Sequence, residues 1–387
     1  MSKYYDIVVV GGGIHGVGVA QAGAAAGYEV LLLEQEEIAA ATSSRSSKLI
    51  HGGLRYLESG QFSLIRESLR EREILLRTAP GLVHLVPFYI PVYETNSRRP
   101  WQIRTGLSLY ALLGNLRSAA RFRHLPRRQW DRLDGLRTEG LRAVYQYWDA
   151  QTDDGALSKA VMRSAQDLGA ELRCPARFLQ AQSRDKLLEV SFSADGGEQR
   201  CHCRVLVNAA GAWVNQVLEH LTPRPSQQAV ELVQGSHILV PGELKWGIYY
   251  VESPRDRRAV LIMPWQDKLL VGTTETPYAG DPAAVKPLPE EIDYLQETLQ
   301  HYFPGREVEV LDSFAGLRVL PKGQSAVFHR PRETLLHRDP RSANVISVYG
   351  GKLTAYRATA LKVIKLIRPL LPARGAIADT ACLPLRG

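Results

Sequence analysis

The sequence predicts an α/β protein in which a Rossmann-like dinucleotide-binding domain is interleaved with a second, mainly β domain. Three observations predict it: a glycine-rich strand–turn–helix–strand unit at the amino end, a run of short strands between turn residues over about 227–330, and a final strand, glycine pair and helix. No internal repeat or low-complexity linker separates them, so the domains are expected to be woven together. At 387 residues the chain exceeds what a single core supports, about 250–300 residues, so two domains are expected.

Apolar residues make up 45% and charged residues 23%, which excludes wholesale disorder. The net charge of +8 admits an anionic substrate, an acidic membrane surface or nucleic acid. Cys174, Cys201, Cys203 and Cys382 form no C-x-x-C pair and no zinc-like spacing, so no metal site is expected. They read as reduced thiols of a cytosolic protein and argue against a disulfide reductase. Cys201 and Cys203 read as neighbours on one face of a strand.

Residues 5–10 (YDIVVV) predict a buried strand, 14–26 a small-residue helix, and 28–34 (YEVLLLE) a second strand. Between Ile7 and Tyr28 only His15 can carry charge, but Gly11, Gly12, Gly13, Gly16 and Gly18 mark a turn and helix, not a membrane span. There is no secretory leader and no other span-length apolar window, so membrane contact is expected to be peripheral at most. Residues 61–78 predict a surface helix, with Leu64, Ile65, Leu69 and Leu76 on one stripe, charge opposite, and Pro80 as its stop. Residues 98–142 are rich in arginine around the apolar island GLSLYALLGNL at 106–116. They read as a solvated helix pair, or as an interfacial helix resting on anionic lipid; no motif accompanies them that would bind nucleic acid. A helix over 156–169 and alternating strands lead to RVLVNAAGAW at 204–213, a strand entering a glycine turn. In the last helix Ala358, Leu361, Ile364 and Ile367 recur at helical spacing.

Gly11, Gly13 and Gly16 form G-x-G-x-x-G between a strand and a helix, with Glu34 18 residues beyond the last glycine. The first glycine makes a tight turn, the second lets backbone approach a pyrophosphate, and the third packs helix on strand. The pyrophosphate would lie on the helix N-terminus, and Glu34 would accept from ribose hydroxyls. FAD and NAD both suit this fingerprint. No second G-x-G-x-x-G follows, so a single nucleotide must carry the redox chemistry.

The runs ATSSRSSKLIHGGLRYLE, NAAGAW, GSHILVP, GTTE and YGGKLTAYR occur in order over almost the whole chain. Together they resemble FAD-dependent glycerol-3-phosphate dehydrogenases, within the wider D-amino-acid-oxidase-like, glutathione-reductase-type flavoproteins. The resemblance implies a Rossmann-like FAD-binding domain (1–80, 145–220 and 340–387) interleaved with a mainly β, mixed-sheet substrate domain (81–144 and 221–339), the isoalloxazine lying between them. It implies FAD contacts from Gly11, Gly13, Ile14, His15, Gly16, Glu34 and Gln35, and from Thr42, Ser43, Ser44, Ser47, Lys48, His51 and Gly52. Ala210, Gly211, Trp213, Arg318, Gly350, Gly351, Lys352, Leu353 and Thr354 complete that set. A substrate site is implied from Arg55, Tyr56, His237, Thr274, Arg318, Arg330 and Lys352. Of these, His237, Arg318, Arg55, Lys352 and Tyr56 are the expected catalytic group. His237 is the expected base, and Lys352 would stabilise negative charge on the reduced flavin.

The implied reaction oxidises a small anionic alcohol, foremost sn-glycerol 3-phosphate to dihydroxyacetone phosphate, by hydride transfer to flavin N5, with quinone as electron acceptor. The implied location is cytoplasmic, peripheral on the inner face of a membrane. Glu275 stands where the family commonly has aspartate, NAAGAW and AGLRVL depart from the usual wording, and the sequence ends at 387 without the C-terminal helical domain of longer members. These departures keep open an amine, amino-acid or 2-hydroxy-acid oxidase on the same scaffold, and a flavoprotein with a partner-binding role.

Overall fold

The computed structural model describes residues 3–117, 120–322 and 334–386. Two mixed sheets organise it. The first has nine strands among the described residues, with the long strand Gly197–Asn208 in its middle. That strand runs parallel to Lys3–Val10 and Val345–Tyr349 and antiparallel to Leu187–Ala194. Lys3–Val10 is parallel in turn to Val30–Leu33. Helices Ile14–Ala25, Asp154–Asp167 and Tyr356–Ile367 cover one face, and Ile7, Val9, Val17, Ala20, Val205 and Val363 meet there in one apolar core. Cys201 and Cys203 are buried together on the other face, as alternation predicts.

The second sheet has ten strands among the described residues. Its key member, Val230–Pro241, is antiparallel to Lys268–Gly272 on one side and to Asp312–Pro321 on the other. This register sets His237 between Gly272 and Phe314, and Val233 beside Arg318. The two-residue strand Leu49–Ile50 also pairs into this sheet, so the chain crosses between layers straight after the serine-rich segment.

Several sequence expectations are corrected. Among the described residues, 98–142 hold one α-helix, Pro100–Leu113, then a short strand Arg123–His124 and a 3-10 turn Arg127–Arg132, instead of a helix pair. Gly114 caps that helix, Asn115 and Leu116 take positive φ, and Pro126 precedes the 3-10 turn, so the helical run cannot continue. The strand-rich stretch contains a helix, Pro289–Tyr302, whose Leu295, Leu299 and Tyr302 are buried at helical spacing. Leu361 is exposed; its place in the expected stripe is taken by Ala360 and Val363. The charged side of the helix Phe62–Thr78 does not wholly face solvent, because Glu71 and Arg72 are buried. Among the described residues no helix is long and apolar enough to cross a membrane.

Those buried charges are paired. Arg357 on the last helix makes a two-pronged bridge to Glu71, at 2.8 and 2.7 Å. Removing one partner of such a pair leaves an uncompensated charge, at a cost of about 3–5 kcal/mol. Glu71→Ala is expected to lower unfolding stability by that amount in urea titration. Adding Arg357→Leu to it should recover a large part, and a double variant as unstable as the single one would contradict this account.

Candidate active site

The amino-terminal turn is shaped for a bound phosphate group. Gly11 has φ of +107°, a conformation that side chains resist, and a methyl on Gly16 would stand 1.8 Å from the Gly11 carbonyl oxygen. The helix Ile14–Ala25 begins at Gly13, which has no side chain to cap it, and no acidic residue lies in the first turn. Its N-terminus therefore offers backbone donors and a positive dipole end to an anion. Glu34 accepts from the Gly12 N–H at 2.6 Å and from Glu36 at 2.9 Å, which places its carboxylate at the mouth of this turn. Gln35 beside it is exposed.

The serine-rich segment closes over the turn. Ser43 Oγ accepts from the Ile14 N–H at 2.9 Å, Thr42 donates to the Leu317 carbonyl at 3.0 Å, and Ser44 donates to Ala41. Lys48 has its ammonium 2.6 Å from Asp154 and 2.5 Å from the Ser44 carbonyl, while Ser46 donates to the other oxygen of Asp154 at 2.6 Å. Lys48 is thus engaged by protein groups, and it stitches the segment to the helix Asp154–Asp167. Ser47, next to it, reaches His237 Nε2 at 2.9 Å.

Beyond the crossing, the His51 backbone is tied to Thr354 at 3.0 Å. The Gly52 N–H donates to Tyr110, whose hydroxyl donates to Asp149 at 2.8 Å, and Arg72 pairs with Asp149 at 2.7 Å. This buried chain was invisible to sequence reading, because its members lie far apart along the chain. On the facing loop Gly350 and Gly351 take φ of +68° and +115°. A methyl on Gly351 would stand 2.0 Å from His15 Nε2, so the backbone closely approaches the imidazole. Lys352 follows, its ammonium 3.5 Å from the centre of the Tyr56 ring. Leu353 packs partly buried on the first core. Ala210, Gly211 and Trp213 form the turn after Gly197–Asn208, where Ala209 abuts Gly11.

The third wall comes from the second sheet. His237 is buried, stacked on Phe314 with centroids 5.0 Å apart. Burial lowers its pKa to about 3, helped by the Arg318 and Lys48 cations, so the ring is neutral at physiological pH. Its Nδ1 has no hydrogen-bond partner among the described residues. Arg318 faces Thr273 at 3.2 Å and the Glu275 carboxylate at 3.4 Å, and Arg55 approaches the same Glu275 oxygen at 3.7 Å. Thr274 is buried and donates to Glu291 at 2.6 Å. Glu291 also receives Ser236 at 2.6 Å, Thr276 at 2.7 Å and Gln234 at 2.5 Å. Burial pushes the Glu291 carboxyl up, but these donors outweigh it and hold the pKa below the usual carboxylate range. Sequence reading missed Glu291 altogether. Arg330 lies outside the described residues.

The glycine cradle, the helix N-terminus without an acidic residue in its first turn and the closely approached backbone at Gly351 fit a dinucleotide. A nucleotide cradle opening on partly accessible cations defines a dinucleotide-dependent oxidoreductase. The chain belongs to the FAD dependent oxidoreductase family, whose profile matches residues 6–357. It uses FAD. It is 37% identical to a glycerol-3-phosphate dehydrogenase of Pseudomonas aeruginosa, over 100% of this chain and 76% of that protein. It is 34% identical to a D-erythritol 1-phosphate dehydrogenase of Brucella abortus, over 96% of this chain and 75% of that protein. The solved glycerol-3-phosphate dehydrogenase of Bacillus halodurans, complexed with FAD, superposes with a TM-score of 0.76 at 25% identity, covering 99% of this chain and 68% of that one.

His15 and His237 fix the sign of one pH dependence. The enclosed His15 ring has its pKa lowered to about 4 by burial, and His237 to about 3. In the unfolded chain both take up protons near pH 6.5, so the unfolded state holds more protons between that value and the folded ones. Their stabilising effect is complete above about pH 6.5 and declines as pH falls toward about 4 and 3. The urea midpoint should therefore drop between pH 7 and pH 5, and His237→Gln should drop less over the same interval. An identical drop in the variant would show that His237 is not buried as a neutral ring.

Proposed function

We propose that the protein oxidises sn-glycerol 3-phosphate to dihydroxyacetone phosphate and passes the electrons to quinone. The observation that carries this reading is the convergence of Arg55 and Arg318 beside a buried neutral His237, at the end of the dinucleotide cradle. Paired guanidinium forks suit the several oxygens of a phosphate. The relatives support the same substrate class, since two of them act on phosphorylated polyols by name.

Bound FAD supplies the hydride acceptor at N5. The chain's own residues handle the anion and the proton. Arg55 and Arg318 hold the phosphate, and Lys352, fixed over Tyr56, adds positive charge at the ring end of the cradle. His237 takes the hydroxyl proton on Nε2 in place of its hydrogen bond to Ser47. With a pKa near 3 the ring is a weak base in the ligand-free protein. The dianion offsets the Arg318 charge that depresses it, so His237 gains basicity when substrate is bound. Arg330 is a further phosphate ligand in this reading.

Quinone as acceptor implies contact with a membrane. The helix Pro100–Leu113 and its exit expose Trp101, Leu112 and Leu116 beside Arg99, Arg104 and Arg117. This mixture supports peripheral docking on anionic lipid at the cytoplasmic face.

Anaerobic addition of glycerol 3-phosphate should bleach the flavin absorbance, while glycine and sarcosine should leave it unchanged. Bleaching by the amines and not by the phosphate would reverse the assignment. Arg318→Ala should keep its flavin and slow reduction at subsaturating substrate by at least about tenfold, since charge-assisted hydrogen bonds are lost. Normal reduction kinetics would remove Arg318 from the site.

A further inference from the structure

The GTTE loop brings an acid into the cationic wall. The Glu275 side chain is only 7% exposed, and its Oε1 lies 3.7 Å from Arg55 and 3.4 Å from Arg318. One carboxylate oxygen is thus shared by two guanidinium groups that come from different parts of the fold, a 3-10 turn in the crossing segment and a strand of the second sheet. The loop is held in register on both sides of Glu275. Thr274 and Thr276 both donate to the same oxygen of Glu291, at 2.6 and 2.7 Å. Arg258 holds the Glu275 carbonyl at 3.0 Å. Glu275 is therefore positioned by its neighbours, and its carboxylate meets both arginines, while Thr273 Oγ1 and the Thr274 carbonyl accept from Arg318 at 3.2 and 3.4 Å.

Its contacts differ from the structural ion pairs elsewhere in the molecule. Lys48–Asp154, Arg72–Asp149 and Arg357–Glu71 close to 2.6, 2.7 and 2.7 Å. Those pairs are also almost completely buried, while Arg55 and Arg318 keep 21% and 23% of their side chains accessible. Contacts of 3.4 and 3.7 Å lie beyond a good charge-assisted hydrogen bond, so Glu275 grips the two guanidinium groups less tightly than the acids of those pairs grip their cations.

Resting on the phosphorylated-alcohol reading above, we propose that Glu275 is a specificity-determining residue: a built-in carboxylate that substrate must outcompete at the Arg55–Arg318 pair. A carboxylate substrate brings the same charge and the same two oxygens as Glu275, which is already tethered in place. Exchange of one for the other gains little. A phosphate monoester brings a charge near −2 and three acceptor oxygens, enough to bridge both guanidinium groups and shift Glu275 aside. The acid therefore raises the threshold for every anion, and raises it most for those that carry a single charge. Glu275 is thereby a filter between phosphorylated alcohols and hydroxy or amino acids on a scaffold whose cations could hold either.

The test is calorimetric titration of oxidised holoenzyme with inorganic phosphate and with lactate, for the wild type, Glu275→Gln and Glu275→Asp. The wild type should bind phosphate at least about tenfold more tightly than lactate. Glu275→Gln should tighten both and tighten lactate more, so that the phosphate-to-lactate ratio falls by at least about fivefold. Glu275→Asp, which keeps the charge, should hold the ratio within about twofold. An unchanged or larger ratio in Glu275→Gln overturns the proposal, and so does an equal collapse in Glu275→Asp. Should the glutamine variant lose its flavin, the wild type still decides, because equal affinities for the two anions overturn it. Binding is read without turnover, which separates the two inferences. The expected ratios with no bleaching by glycerol 3-phosphate uphold the filter and sink the substrate assignment. Bleaching with an unchanged ratio does the reverse.

Discussion

The site depends on one buried ion pair, Lys48 with Asp154. Asp154 has no accessible surface and Lys48 has 7%, so neither charge could be tolerated alone. A buried pair of this kind is a weak source of net stability, because desolvation offsets most of the attraction. What it does here is fix register. Asp154 also takes the backbone N–H and hydroxyl of Ser46, so three donors from a short segment converge on one carboxylate. With that segment pinned, Ser43 lands on the dinucleotide helix and Ser47 lands on His237. The serines could not reach both layers if the chain between them were free to slide.

The same cation has an electrostatic effect at a distance. Lys48 lies 5.4 Å from the Phe314 ring on which His237 stacks, and with Arg318 it adds to the burial that keeps His237 neutral. The chain thus gathers cations about a buried imidazole without charging it. Coulomb energy in such an enclosed site exceeds its value in water, so each change of charge on binding substrate is felt by the whole group. The acid at Glu275 belongs to this balance, and the acid at Glu291 stands behind it with its oxygens already filled by hydroxyl and amide donors.

Much of this was legible in the sequence where the signal was local. The strand–glycine turn–helix at residues 5–26, the buried face shared by Cys201 and Cys203, and the closing glycine pair rest on side-chain spacing and on backbone geometry that only glycine supplies. The helix Pro289–Tyr302 was legible too, with Pro289 at its first turn and Leu295, Leu299 and Tyr302 at helical spacing, but surrounding strand signals masked it. Residues 98–142 misled in the other direction: arginine content says nothing about where a helix stops, and Gly114 and Pro126 did. The roles of Asp154, Asp149 and Glu291 could not be read at all. Each acts across 55 or more positions of sequence, on Ser46, on Arg72 and on Gln234, and no period in the chain encodes such a meeting.

What the sequence did encode for the meeting of the two layers is the absence of side chains. A methyl on Gly235 would stand 2.8 Å from the Arg318 guanidinium, and one on Gly272 would stand 2.2 Å from the His237 ring. A methyl on Gly316 would meet the Arg45 carbonyl at 2.7 Å, on the very segment that Lys48 pins. These glycines sit on three paired strands, at the rows where His237 and Arg318 need room. Glycine within a strand weakens it by removing a packing side chain and by raising the entropy lost on folding. Among the described residues the sheet accepts that weakening at the wall of the site alone, and branched apolar neighbours such as Ile238, Val240 and Val271 restore the packing from the opposite face. The strands can therefore approach the serine segment closely, so that Gly316 meets Arg45 and Ser47 reaches His237.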